Sequence, residues 1–224
     1  MVSRESKTSS LGSASGSPEP VGRGGRGGAR QRRKPAPLDD QTLRDLALSY
    51  VARFATTAAK LEAYLARKLR ERGVAEDGEG RAIDLDVPAL VARLVELGYV
   101  DDDAWARGRS RDLAARGYGA RRVEQALWSA GIAETARAAH APGEAASRRA
   151  ALTLAQKRGF GPFARQSMRA AADEGPEEQH KRREKQVAAM LRAGHLYEHV
   201  RFILEAAEPA QLEDWVREAE EEER

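Results

Sequence analysis

From Leu43 onward the apolar residues recur at intervals of three and four. Leu43, Leu46, Ala47, Tyr50, Val51 and Phe54 form one helical stripe. Leu61, Tyr64, Leu65 and Leu69 form a second, and Val87, Leu90, Val91, Leu94 and Val95 a third. Residues with N-cap chemistry precede each stripe: Asp39-Asp40, Thr56-Thr57, and Asp86 with Pro88 in the first turn behind it. Asp101-Asp102-Asp103 predicts a fourth helix running to about Ala115, broken by Gly117-Tyr118-Gly119. A fifth carries Val123, Ala126 and Leu127 and ends at Ala130-Gly131. A weak sixth spans Ile132 to about Ala139 and stops at Pro142-Gly143. The seventh runs from Glu144 to about Arg158, and Gly159-Phe160-Gly161-Pro162 follows it. A polar, Ala-rich connection leads to an eighth over Glu177–Ala193, and a ninth holds Leu196, Val200, Ile203 and Leu204.

The helices repeat as a set. Leu69 to Val74, Leu127 to Ile132 and Leu191 to Gly194 are equivalent glycine turns, with Gly73, Gly131 and Gly194 spaced by 58 and 63 residues. Arg116-Gly117-Tyr118-Gly119 is echoed by Arg158-Gly159-Phe160-Gly161. The sequence therefore predicts an all-α fold of about nine helices in three tandem three-helix repeats, at 39–100, 101–143 and 144–206, forming an elongated, curved molecule. Residues 1–38 are rich in Gly, Ser and Arg with no apolar period. They read as a disordered tail, either solvated or holding nucleic acid loosely. Residues 207–224 read as an acidic tail. It extends a helix from Pro209 through Leu212, Trp215 and Val216, folds back on a basic face, or stays solvated, which is the commoner case for such a charge run.

Composition narrows the chemistry. The chain has 224 residues and no cysteine, which removes disulfides, thiolate metal sites and a cysteine nucleophile. No apolar run reaches the roughly 18 residues of a membrane helix, and the N-terminus lacks a signal-peptide core. Cytoplasmic location is the expectation. The net charge of +3 is unevenly spread: +4 on residues 1–40, −7 on 205–224 and hence +6 between them. A basic middle suits a polyanion or an acidic protein surface.

That charge gathers in three stretches. Arg107, Arg109, Arg111, Arg116, Arg121 and Arg122 crowd residues 107–122, opposed only by Asp112. Lys60, Arg67, Lys68, Arg70 and Arg72 form a second basic helix, and Lys181, Arg182, Arg183 and Lys185 a third. Arginine contacts phosphate or carboxylate bidentately. Solvated helix faces with Glu–Lys support are the plainer explanation. Tyr118 reads as packed in the corner between helices.

Leu97-Gly98-Tyr99-Val100-Asp101-Asp102-Asp103-Ala104-Trp105-Ala106, then Arg116 to Leu127 and Gly131-Ile132, resemble the central signature of the RecX family, regulators of the RecA recombinase. Tyr50–Gly73 and Lys185–Leu204 resemble its flanking repeats more loosely, so the likeness covers about 43–205. It implies tandem three-helix repeats and a non-enzymatic regulator. Such a regulator binds RecA and its filament on single-stranded DNA, mostly inhibiting recombinase, ATPase and coprotease activity in DNA repair and the SOS response. The contact candidates are then Lys68, Arg72, Arg107, Arg111, Arg116, Arg121, Arg122, Lys181, Arg182 and Lys185, on a monomer with RecA as partner and single-stranded DNA as a second. The alternative is a general nucleic-acid-binding helical protein without a recombinase partner. Departures from the family pattern are Gly108-Arg109-Ser110, which predicts a weakly packed fourth helix, Ala133 in place of a capping residue, and a long loop at 75–86.

No cofactor or metal is called for. Asp101–Asp103 reads as a helix cap. His195-Leu196-Tyr197-Glu198-His199 matches a zinc-peptidase pattern, but with no third ligand it reads as chance, with His199 at the surface or the core edge. There is no P-loop, dinucleotide fingerprint or nucleophile elbow.

Overall fold

Asp39 opens the first helix with a reciprocal cap. Its carboxylate accepts the Thr42 N–H at 2.8 Å, and its own N–H donates to Thr42 Oγ1 at 3.0 Å. The computed structural model describes residues 36–164 and 175–224. The expected N-terminal tail up to residue 35, and 165–174 of the expected connector, lie outside the described residues.

Helix α1 spans Asp40–Val51, α2 Ala58–Arg72 and α3 Val87–Glu96. Thr57 caps α2 and Asp86 caps α3 by accepting the Lys60 and Ala89 N–H groups. Next come α4 (Asp102–Ala115), capped by Asp101, α5 (Ala120–Trp128) and α6 (Glu134–Ala139). Ala133 gives α6 no side-chain cap, and α6 is only six residues long. Then follow α7 (Glu144–Arg158), a 3₁₀ turn at Gly161–Phe163, α8 (Pro176–Arg192), α9 (Tyr197–Glu205) and α10 (Pro209–Glu222). Among the described residues there is no strand, only two isolated bridges. The fold is all-α.

Three apolar clusters form in chain order. Leu43, Ala47, Leu61, Leu65, Val91 and Leu94 lie inside α1–α3. Ala106, Leu113, Val123, Leu127 and Ile132 lie inside α4–α6. Leu152, Met190, Val200, Ile203, Leu212 and Val216 lie inside α7–α10. We refer to the three groups as units 1, 2 and 3.

Three features depart from the sequence reading. Leu38, the last residue of the expected tail, is fully buried in the first core. Helix α4 is packed on α5, α6 and α7 rather than loose, because Ala106, Ser110 and Leu113 form its buried edge, while Gly108 is exposed and Arg109 half-buried. The acidic segment from 207 forms the tenth α-helix among the described residues, not the solvated tail that is the commoner case. Its Leu212, Trp215, Val216 and Ala219, spaced i, i+3, i+4, i+7, are buried, and the helix packs against α7. Arg149 holds Glu213 at 3.4 Å and Glu220 at 2.5 Å. Glu223 Oε1 accepts the Ala145 N–H at 2.9 Å, supplying the cap that Gly143 cannot.

The units join by one repeated contact. The start of a middle helix meets the glycine turn that ends the next middle helix. Thr57 Oγ1 donates to Ala130 O at 2.6 Å, and Ala59 lies against Gly131. Gly119 N–H donates to Ala193 O at 2.9 Å, and Arg121 N–H to Gly194 O at 3.2 Å. Helix starts carry surplus N–H groups and helix ends surplus carbonyls, and the second junction satisfies both, while at the first the Thr57 hydroxyl is the donor to the end carbonyl. At the first turn Leu38 takes that place: its N–H donates to Gly73 O at 2.9 Å, and its carbonyl accepts from Ala75 N–H at 2.8 Å. The array is thus capped by extended backbone, as tandem repeats require at an end.

Candidate binding interface

Helices α4 and α5 diverge to leave two adjoining grooves of about 580 and 420 Å³. Arg109, Ala126 and Ser129 line both. Lys60 and Trp105 line the first, and Arg116, Tyr118 and Arg122 the second. The α2–α5 junction creates this surface by bringing Lys60, near the start of α2, across to α4. Its ammonium stands 4.1 Å from the Trp105 ring centroid. Partial burial, then the nearby Arg109 charge, hold Lys60 below the ordinary lysine range. Two neighbouring cations mark a place where an anion is favoured.

Arg109 reaches Asp112 at 3.1 Å, and Arg116 reaches the same carboxylate at 3.7 Å. One acid therefore serves two arginines, and the groove keeps a cationic surplus. Arg116 also lies 5.6 Å from the Tyr118 ring, and Arg122 bonds the Gln125 side chain at 2.7 Å. Tyr118 is half-buried and lines the groove, so the packed-corner reading accounts for only part of it.

Of the ten candidates, Arg116 and Arg122 line this groove. Arg111 and Arg121 are exposed on the same helices but line neither part of it. Arg107 pairs with Asp103 at 2.7 Å, next to His140, which holds the other Asp103 oxygen at 2.6 Å. Lys68 is bound to Glu71 at 2.6 Å, and Arg72 donates to Ala36 O at 2.8 Å, tying down the entering chain. Lys181 pairs with Glu177 at 2.6 Å, Arg182 is half-buried on α8, and Lys185 is exposed there. Counting back from the glycine turns, Lys60 matches Lys181 and Arg122 matches Lys185, whereas Lys68 and Arg72 match alanines. The residues the ten omit, Lys60 and Arg109, are central. Lys60 joins the groove only through the inter-unit junction, which sequence spacing does not reveal.

The two histidines are structural. His195 is buried at the second junction with Nε2 3.1 Å from Gly117 O, and its Nδ1 has no partner. Burial drives its pKa down to about 4, against the pull of the Gly117 carbonyl. His199 is also buried, so of its two expected positions the surface is excluded, with Nε2 3.1 Å from Glu144 and its ring edge-on to Trp215. Burial pushes the Glu144 carboxyl up, but Arg148 and His199 together hold it below the ordinary range. Among the described residues, no group of three or more His, Asp or Glu is placed to hold a metal, and no helix is long and apolar enough to cross a membrane.

Tandem helical units joined start-to-turn, with a cationic groove across the middle one, define an all-helical protein of repeated units. No family model matches the chain. Regulatory protein RecX of Myxococcus xanthus (strain DK1622) is 33% identical to it over 178 residues, covering 77% of this chain and 90% of that protein. The crystal structure of RecX from Lactobacillus salivarius shares its fold with a TM-score of 0.54 at 15% identity, over 75% of this chain and 95% of that one. The chain belongs to the RecX family of regulatory proteins.

Proposed function

We propose that this chain binds the RecA recombinase and its filament on single-stranded DNA. There it restrains strand exchange, ATP hydrolysis and coprotease activity, and so tempers recombinational repair and the SOS response. Family membership supports the partner. The observation that carries the mode of contact is the groove where Lys60, Arg109, Arg116 and Arg122 meet beside Trp105 and Tyr118. Guanidinium groups grip phosphate or carboxylate in two-point contacts, and aromatic faces accept an unstacked base. A rigid helical array held along the filament obstructs its growth and the passage of a second strand. The chain acts as a monomer in the cytoplasm and needs no cofactor.

Titration into RecA on single-stranded DNA tests this directly. ATP hydrolysis falls with rising protein, and the protein sediments with the filament. No change at any ratio, with no co-sedimentation, rejects the proposal. A second reading, general binding to single-stranded nucleic acid, draws on the same arginine–aromatic pairing. Tight, salt-steep binding to an oligonucleotide together with indifference to RecA favours that reading instead.

A further inference from the structure

The first unit carries a surface of the opposite character. A groove of about 640 Å³ lies between α1 and α3. Three large apolar side chains line it while facing solvent: Leu48 is 41% exposed, Leu97 52% and Tyr99 58%. Exposed apolar residues scattered singly mean little, but gathered in one concavity they mark a contact surface.

The other units show why this groove is open. In unit 2 the residue ending the third helix is His140, which crosses to Asp103 in the first turn of α4 and closes the gap. The residue in that place in unit 1 is Leu97, at the end of α3, and it makes no such bridge. In unit 3, Glu223 of α10 covers the first turn of α7. Among the described residues, unit 1 leaves the gap between its first and third helices uncovered.

Its rim defines the occupant. Arg44 is neutralised by Asp40 at 2.7 Å, and Arg93 by Glu96 at 3.0 Å. Asp84 is exposed with no basic partner among the described residues, and Asp86 spends one oxygen capping Ala89. The uncompensated charge at the edge is therefore negative. We propose that the α1–α3 groove is a protein-docking surface for a segment that inserts apolar anchor side chains over Leu48, Leu97 and Tyr99 and sets a Lys or Arg against Asp84 and Asp86. This rests on the recombinase reading and divides the labour within it: unit 1 holds protein, and the unit 2 groove holds phosphate.

The test uses the full chain, RecA filaments on single-stranded DNA, and a labelled oligothymidylate without RecA. The double variant Leu48→Glu/Leu97→Glu loses at least tenfold in affinity for the filament while its oligothymidylate affinity stays within twofold. Asp84→Lys, in an exposed loop where folding is not at stake, weakens filament binding about threefold and leaves the oligonucleotide unaffected. If wild type does not bind the filament, the recombinase reading fails and takes this one with it. If wild type binds and neither variant loses filament affinity, the docking proposal alone is overturned. Concentration-dependent dimers in sedimentation, abolished by the double variant, assign the groove to a second copy and also overturn it.

Discussion

Gly119 and Gly194 face each other across the junction of the second and third units with no room for a side chain on either. A Cβ on Gly119 would fall inside the contact distance of the Gly194 carbonyl, and one on Gly194 would strike the Arg122 backbone. Gly194 also holds φ +93°, which L-residues with side chains rarely adopt.

Gly194→Ala therefore combines backbone strain with a clash against backbone. The two together destabilise by roughly 2–6 kcal/mol. Gly108→Ala sits on an exposed helix position with nothing within 4 Å, and it stabilises by about 0.5–1 kcal/mol. Urea denaturation of both variants measures the contrast. Equal effects would show that the junction is not tight.

His195 makes stability depend on pH. Its folded pKa of about 4 lies below the unfolded value of 6.5, so the unfolded state binds the extra proton. Stability is fully present above pH 6.5 and falls as pH drops toward 4, by roughly 3 kcal/mol in total. His195→Asn flattens that slope between pH 6.5 and 4.5. An unchanged slope in denaturation curves across this range would place the effect elsewhere.

On the proposed reading, the groove arginines set the salt dependence of DNA binding. Arg109→Ala, Arg116→Ala and Arg122→Ala each lower the slope of log affinity against log salt by about 0.7 for single-stranded DNA. Lys68→Ala and Lys181→Ala leave it unchanged, because their ammonium groups are paired with Glu71 and Glu177 away from the groove. Fluorescence anisotropy from low to moderate salt reads the slopes.

Removing α10 damages the fold. Truncation before residue 207 uncovers α7 and strips the cap from Ala145. Loss of cooperative thermal unfolding is the expected result, and Trp215→Ala alone costs about 3–5 kcal/mol. A truncated chain that melts as wild type does would return the segment to the status of a tail.

Local signals read well from sequence, and distant ones did not. Thr57, Asp86 and Asp101 announce their helices because a cap is a contact over three residues. Gly73, Gly131 and Gly194 announce turns because only glycine takes those angles cheaply. Leu38 was assigned to the tail because its pairing with Gly73 spans 35 residues that no short window sees. Helix α10 is one of three readings of its segment, and its many carboxylates favour the solvated one although the apolar stripe beneath them faces α7. The groove was half legible: Arg116 and Arg122 stood out by density. Lys60 became visible only when the start of α2 docked on the turn after α5.

That docking has a direction. At both junctions the start of one middle helix is received by the turn ending the next, and the first turn is already filled by the backbone of Leu38. A copy of a whole unit spliced between the second and third would bring one start and one turn, and would find both complements waiting. A copy added before Leu38 would meet a plugged socket. The chain is thus built to lengthen from within, by duplication of an interior unit, and its leading end is sealed against growth.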